Sequence, residues 1–176
     1  IFKIKNKNDV NYTRLVGASI ANSLSQRDIL IFDLSKTQTL QLLYGFFLKA
    51  YKFDKYKTKT EETRIAVNFA GTNSSTLQKK FKSFHALLKG VYFCRDLINE
   101  PANILTTTNF TQKLKALVEY GLAVEVLEEN DIENLGMRAL LAVGKGSECP
   151  SKVVIIRWNG NKTTDSPLLL VGKGVV

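Results

Sequence analysis

Lys173 stands between Gly172 and Gly174 after the apolar run Leu168-Leu169-Leu170-Val171, and of all side chains in this sequence it is the one best placed to do chemistry. Read as a strand, the segment points Val171, Lys173 and Val175 to one side. The amine is then expected to issue from a buried sheet, where an ammonium must be paired or give up its proton. The two glycines leave room for another group beside it. Two uses fit: a neutral amine donating its lone pair to a metal ion, or an ammonium holding a carboxylate or phosphate. The plain structural alternative is a strand-end lysine that reaches out to water.

Other candidate motifs narrow the field. Gly172-Lys173 and Gly144-Lys145 both look like the tail of a phosphate-binding loop, but the required upstream glycine is Pro167 in one case and Ala139 in the other. The residue after each lysine is glycine, where the motif needs Ser or Thr, so a nucleotide-triphosphate loop is excluded. His85 is the one histidine, which argues against a histidine metal cluster or a Ser-His-Asp triad. Cys94 and Cys149 differ in context and form neither a disulfide framework nor a zinc knuckle. The dense segment Arg95-Asp96-Leu97-Ile98-Asn99-Glu100-Pro101-Ala102-Asn103 is read as structural. Asn99 and Asn103 suit backbone hydrogen bonds where a helix ends at Pro101, and Arg95 and Asp96 are expected to lock that helix to a second unit beyond Pro101 through ion pairs.

These residues need elements to position them. Val10, Leu15, Val16, Ala18, Ile20, Ala21 and Leu24 have helical spacing over 9–24. A short apolar strand covers 28–34. A helix from Thr37 to about Phe53 carries Leu40, Leu43, Phe47 and Ala50, with Gly45 as a weak point. A polar connection (Lys55 to Glu62) leads to a strand ending Ile65-Ala66-Val67-Asn68-Phe69. The longest helix spans roughly 75–98, with Leu77, Phe81, Phe84, Leu88, Val91 and Ile98 in one stripe. Its length suggests a bridge between two domains. Beyond Pro101, Thr108 is expected to cap a helix that stops at Gly121. A strand comes next over Leu122–Leu127, and Asn130 with Glu133 is a plausible capping pair for a short helix ending near Gly136. The run Val153-Val154-Ile155-Ile156 reads as a strand buried on both faces, and Asn159-Gly160 as a turn with a polar loop after it. Trp158 is expected to pack at the end of that strand.

Length and composition allow one domain, or a small domain plus part of another: 176 residues, 44% hydrophobic. The net charge of +9 comes from 25 basic and 16 acidic residues, with lysine clusters at Lys3, Lys5, Lys7 and at Lys49, Lys52, Lys55, Lys57, Lys59. A solubilising surface and an anionic partner such as nucleic acid both account for it. The paucity of cysteine suits a reducing compartment, and no segment has the apolar length of a membrane span, so the cytoplasm is expected and a membrane partner is not. A free carboxylate on an apolar final strand would be costly to bury, so the sequence is expected to be the front portion of a larger protein.

Four blocks in order carry a resemblance. Arg95 to Asn103, continuing through Ile104-Leu105-Thr106, resembles the junction that opens the catalytic domain of the leucyl (cytosol) aminopeptidase family. Leu135-Gly136-Met137 with Ala139-Leu140-Leu141-Ala142-Val143-Gly144 and Gly146-Ser147 is similar to the family's next block. Leu170-Val171-Gly172-Lys173-Gly174-Val175 resembles the block that delivers a metal ligand, and Tyr51, Phe53, Lys55 and Tyr56 resemble the end of its N-terminal domain. Lys145 and Glu148 depart from it, where the family commonly has a glutamine and a small residue. The resemblance implies an α/β protein. Its parts would be an N-terminal three-layer α/β domain (1–74), a linker helix (75–99) and the first part of an α/β catalytic domain with a mixed central sheet (100–176). It implies a homo-hexamer that releases N-terminal amino acids from peptides with a free N-terminus. Two divalent ions, manganese or zinc or else magnesium, would do so with bicarbonate. Lys173 would be a metal ligand, with Gly172, Gly174, Arg95, Asp96, Asn99 and Asn103 as structural residues near the site. The acidic ligands, a second lysine and a bicarbonate-holding arginine would come after Val176, leaving no catalytic residue within this segment and the segment alone inactive. Two rivals are a basic nucleic-acid-binding module and a degenerate, non-catalytic homologue.

Overall fold

The computed structural model describes residues 9–23, 29–31, 34–59, 67–69, 74–160 and 166–174, with backbone alone at 29–31, 67–69 and Ser74. The Lys3–Lys7 cluster, the first part of the strand expected before Val67, the loop at 161–165 and Val175 lie outside the described residues. Helices alternate with short strands, as an α/β chain requires, and the chain divides into two compact units, Ile1–Asn99 and Glu100–Val176.

In the first unit, α1 (Val10–Ser23) is followed by β1 (Ile29–Ile31), α2 (Lys36–Ala50), β2 (Val67–Phe69) and α3 (Ser74–Asn99). The β1–β2 pair is parallel, with Ile29 opposite Val67, and parallel neighbours need a crossover such as α2 between them. Ser35 starts α2 with a capping box: its hydroxyl accepts from the Gln38 amide at 3.3 Å, and the Gln38 side chain accepts from the Ser35 amide at 3.0 Å. Ile20, Leu42, Leu43 and Phe46 form the buried core, with Val16, Phe47, Ala50 and Phe81 against it. The buried face of α2 is wider than the Leu40–Ala50 stripe because α2 packs on both α1 and α3. Gly45, a weak point by propensity, is what lets α1 approach: a β-carbon there would meet the Arg14 carbonyl oxygen at 2.0 Å.

Along α3, Leu77 and Leu88 are buried and Phe81, Phe84 and Val91 half-buried, whereas Ile98 is 81% exposed, so the expected stripe stops short of the helix end. Phe81 and Phe84 reach α2 through Phe47 and Tyr44, with ring centroids 5.8 and 5.5 Å apart.

The second unit holds α4 (Thr107–Lys115), a 3₁₀ turn (Ala116–Tyr120), β3 (Ala123–Leu127), α5 (Glu129–Asn134), α6 (Arg138–Gly144) and β4 (Val153–Arg157). Thr106, not Thr108, caps α4. Its backbone is extended (φ −76°, ψ 166°), which aims its hydroxyl at the Asn109 amide 3.3 Å away, while Thr108 already lies inside the helix. Likewise the cap of α5 is Glu128 with Asp131, whose carboxylate accepts from the Glu128 amide at 3.0 Å, in place of Asn130 with Glu133. Gly121 (φ 83°) and Gly136 (φ 72°) take the left-handed backbone that ends the preceding helical turns. β3 and β4 pair antiparallel, Val124 opposite Ile156, and Ile132 is fully buried. Among the described residues β4 has one neighbour, so its Val-Ile run is half-buried and Ile156 exposed, not covered on both faces. Trp158 is 76% exposed rather than packed at the strand end. No helix among the described residues is long and apolar enough to cross a membrane.

Candidate functional site

Lys173 lies in residues 166–174, which form neither helix nor strand; Leu168 to Val171 are 80–88% exposed, and Lys173 is exposed with them. The expected buried strand is therefore not formed among the described residues. A strand needs a neighbour to take its amides and carbonyls, and none of the four described strands pairs with this segment. A β-carbon at Gly172 or Gly174 would meet nothing within 4 Å, so the amine is approachable from either side.

No group of three or more His, Cys, Asp or Glu among the described residues could hold a metal ion. A lone amine does not retain a divalent cation, so these residues by themselves do not make a metal centre. His85 is stacked on Phe81, ring centroids 6.1 Å apart. Cys94 is exposed, Cys149 half-buried, and both are free thiols.

In the Arg95–Asn103 segment the Asn99 side-chain amide donates to the Arg95 carbonyl at 2.9 Å, the backbone hydrogen bond expected of it where the helix ends. Arg95 and Asp96 bind the end of α2. The Arg95 guanidinium donates to the Leu48 carbonyl at 2.5 Å and lies 5.3 Å from the Tyr51 ring centroid. The Tyr51 hydroxyl donates to Asp96 at 2.7 Å and accepts from the Asn99 amide at 3.2 Å. The Tyr92 hydroxyl donates to the Phe47 carbonyl. The physical reason is the bare C-terminal end of α2, whose last carbonyls have no partner within the helix. Burial raises the Tyr92 phenol above its ordinary value, and burial followed by the hydrogen bond to Asp96 raises that of Tyr51. Asn103 is exposed in the turn after Pro101, where the Ile104 and Leu105 amides donate to the Pro101 carbonyl at 2.9 Å.

Glu100, which sequence reasoning passes over, opens the second unit with a side chain only 1% exposed and lies 3.5 Å from the Lys113 ammonium. A carboxylate so deeply placed needs such a cation. Its signal in the sequence is slight: an acid immediately before the proline that ends a long helix.

The family model for the cytosol aminopeptidase family, catalytic domain, matches residues 92–176. A probable cytosol aminopeptidase of Dinoroseobacter shibae is 44% identical over 163 residues, covering 93% of this chain and 33% of that protein. A mutant of tomato leucine aminopeptidase superposes with a TM-score of 0.73 at 20% identity, over 82% of this chain and 32% of that one. The bottromycin maturation enzyme BotP in complex with Mn gives 0.69 at 22%, over 84% and 33%. At these identities the structural likeness is one of fold. The chain spans about a third of the length of the curated relatives it matches.

Proposed function

Because this chain belongs to the cytosol aminopeptidase family, we propose that the whole protein is a metallo-aminopeptidase that removes N-terminal amino acids from peptides with a free N-terminus. The observation that carries this is the match of residues 92–176 to the family's catalytic domain, beside a relative 44% identical along 93% of the chain. In this reading residues 1–74 belong to an N-terminal domain, 75–99 link it to the catalytic domain, and 100–176 begin that domain. The protein works in the cytoplasm as a homo-hexamer.

Lys173 would serve as one ligand to a divalent ion, between glycines that leave room for the ion and its other ligands. Manganese, zinc and magnesium all suit such a role, with bicarbonate as an auxiliary base, and the manganese complex of BotP favours the first. When bound, such an ion polarises a carbonyl and acidifies water. What this chain contributes is a donor atom and, through Arg95, Asp96 and Asn99, a fixed end to the helix that precedes the catalytic segment.

The test uses the full-length protein. It is expected to release leucine from an N-terminal leucyl substrate, and Lys173→Ala is expected to lower both bound metal and turnover. The loss of turnover should exceed about 100-fold, since even groups that only support a ligand cost 10–100-fold. Equal metal content and equal turnover in the variant would remove Lys173 from the site. A wild-type protein that releases no N-terminal residue with any of the three metals would overturn the activity itself.

A further inference from the structure

Of the thirteen asparagines in the sequence only Asn159 is followed by glycine. Both residues come after β4, outside helix and strand, and both are exposed. An asparagine so placed is open to its own backbone. The nitrogen of the next residue reaches the side-chain carboxamide where the chain is free to turn and nothing branches from the next α-carbon, and glycine supplies both conditions. Other asparagines lack one or the other. Asn22, Asn109 and Asn134 are held in helices. Asn103 lies in a turn, but branched Ile104 follows it, and the Ile104 amide is engaged with the Pro101 carbonyl at 2.9 Å.

The surroundings also keep residue 160 a glycine. A β-carbon there would meet indole atoms of Trp158 at 2.2–2.6 Å. The ring, 76% exposed, is thus folded back onto the Gly160 backbone, and any larger residue would displace it. The susceptible pair is built into the turn. We propose that Asn159 is a modification site, a carboxamide that deamidates to aspartate and isoaspartate with water as its only co-reactant. The Gly160 nitrogen gives its proton to a solvent base and bonds to Asn159 Cγ. The Cγ–Nδ2 bond breaks, and Nδ2 leaves as ammonia with a proton from water. Water then opens the cyclic succinimide. Cleavage of the bond from Cγ to nitrogen yields aspartate. Cleavage of the bond from the Asn159 main-chain carbonyl yields isoaspartate, whose backbone is longer by a carbon. Either product sets a new carboxylate two residues past Arg157, the cation that pairs with Glu125 at 2.8 Å across β3 and β4. A rival anion then stands at the end of that pair.

The experiment holds freshly purified full-length protein in mildly alkaline buffer over several days. Trypsin then releases Trp158–Lys162 by cutting after Arg157 and Lys162. Fragment masses separate Asn159 from Asn161, which precedes lysine and serves as the internal control. Deamidated product is expected to accumulate at Asn159, faster at higher pH, while Asn161 stays intact. An isoaspartyl methyltransferase should label the same peptide. Gly160→Ala should lose most of the conversion and Asn159→Gln all of it. An Asn159 that keeps its amide, or converts no faster than Asn161, would overturn the proposal. So would a Gly160→Ala protein that deamidates at the wild-type rate.

Discussion

A β-carbon at Gly45 would stand 2.0 Å from the carbonyl oxygen of Arg14, and one at Gly17 would stand 2.0 Å from that of Leu42. Both obstacles are backbone atoms, which cannot swing aside, so α1 and α2 touch only because these two positions lack a side chain. Helix propensity alone favours alanine over glycine by about 1 kcal/mol. Here the sign reverses. Gly45→Ala should destabilise the protein by roughly 2–4 kcal/mol, since the helices must part around buried Phe46. Gly90→Ala, where a β-carbon meets nothing within 4 Å, should stabilise it by about 1 kcal/mol. Urea unfolding followed by circular dichroism reads both, and a Gly45→Ala protein as stable as wild type would refute the close crossing. The sequence alone marks Gly45 as a flaw in a helix, because periodicity shows which face is apolar but not what lies against it.

Between elements, α2 and α3 are joined as much by caps as by rings. Tyr92 and Arg95 satisfy carbonyls of Phe47 and Leu48, and Tyr51 gathers Asp96 and Asn99. With folded pKa values raised above the ordinary 10.0, Tyr92 (by burial) and Tyr51 (by burial, then Asp96) release their protons later in the folded state than in the unfolded one. Their contribution to stability is therefore complete below pH 10 and is lost as pH climbs through the raised folded values. Replacing both by Phe should flatten that alkaline fall while costing about 1 kcal/mol at neutral pH for the lost Tyr92 hydrogen bond. An unaltered fall in unfolding free energy above pH 10 would sink the assignment. Helix positions are readable from spacing here, but caps are not. Thr106 and Thr108, or Glu128 and Asn130, offer similar side chains two residues apart, and only the extended backbone at Thr106 and Glu128 decides between them.

At the scale of the molecule, the α/β class and the opening of the second unit near Pro101 can be read from the sequence, because alternating apolar runs and a proline after a long helix are local signals. The placement of Lys173 cannot, since burial of an apolar run depends on a neighbouring strand that can come from anywhere in a fold. Leu168 to Val171 present four consecutive exposed apolar side chains, more than a monomer keeps in water without consequence. The 176-residue chain by itself should self-associate with rising concentration in sedimentation velocity, and Leu169→Lys with Val171→Lys should suppress it. A wild-type chain that stays monomeric at high concentration would show that the segment is covered. The origin of the α2 caps also sets an order of events during synthesis. Tyr92 and Arg95 lie 45 and 47 residues downstream of the carbonyls they serve, and a ribosome delivers the chain in order, N-terminal parts first. α1 and α2 can therefore meet early, but the last turn of α2 stays frayed until the end of α3 clears the exit tunnel. The nascent first unit therefore closes only after translation has passed into the second.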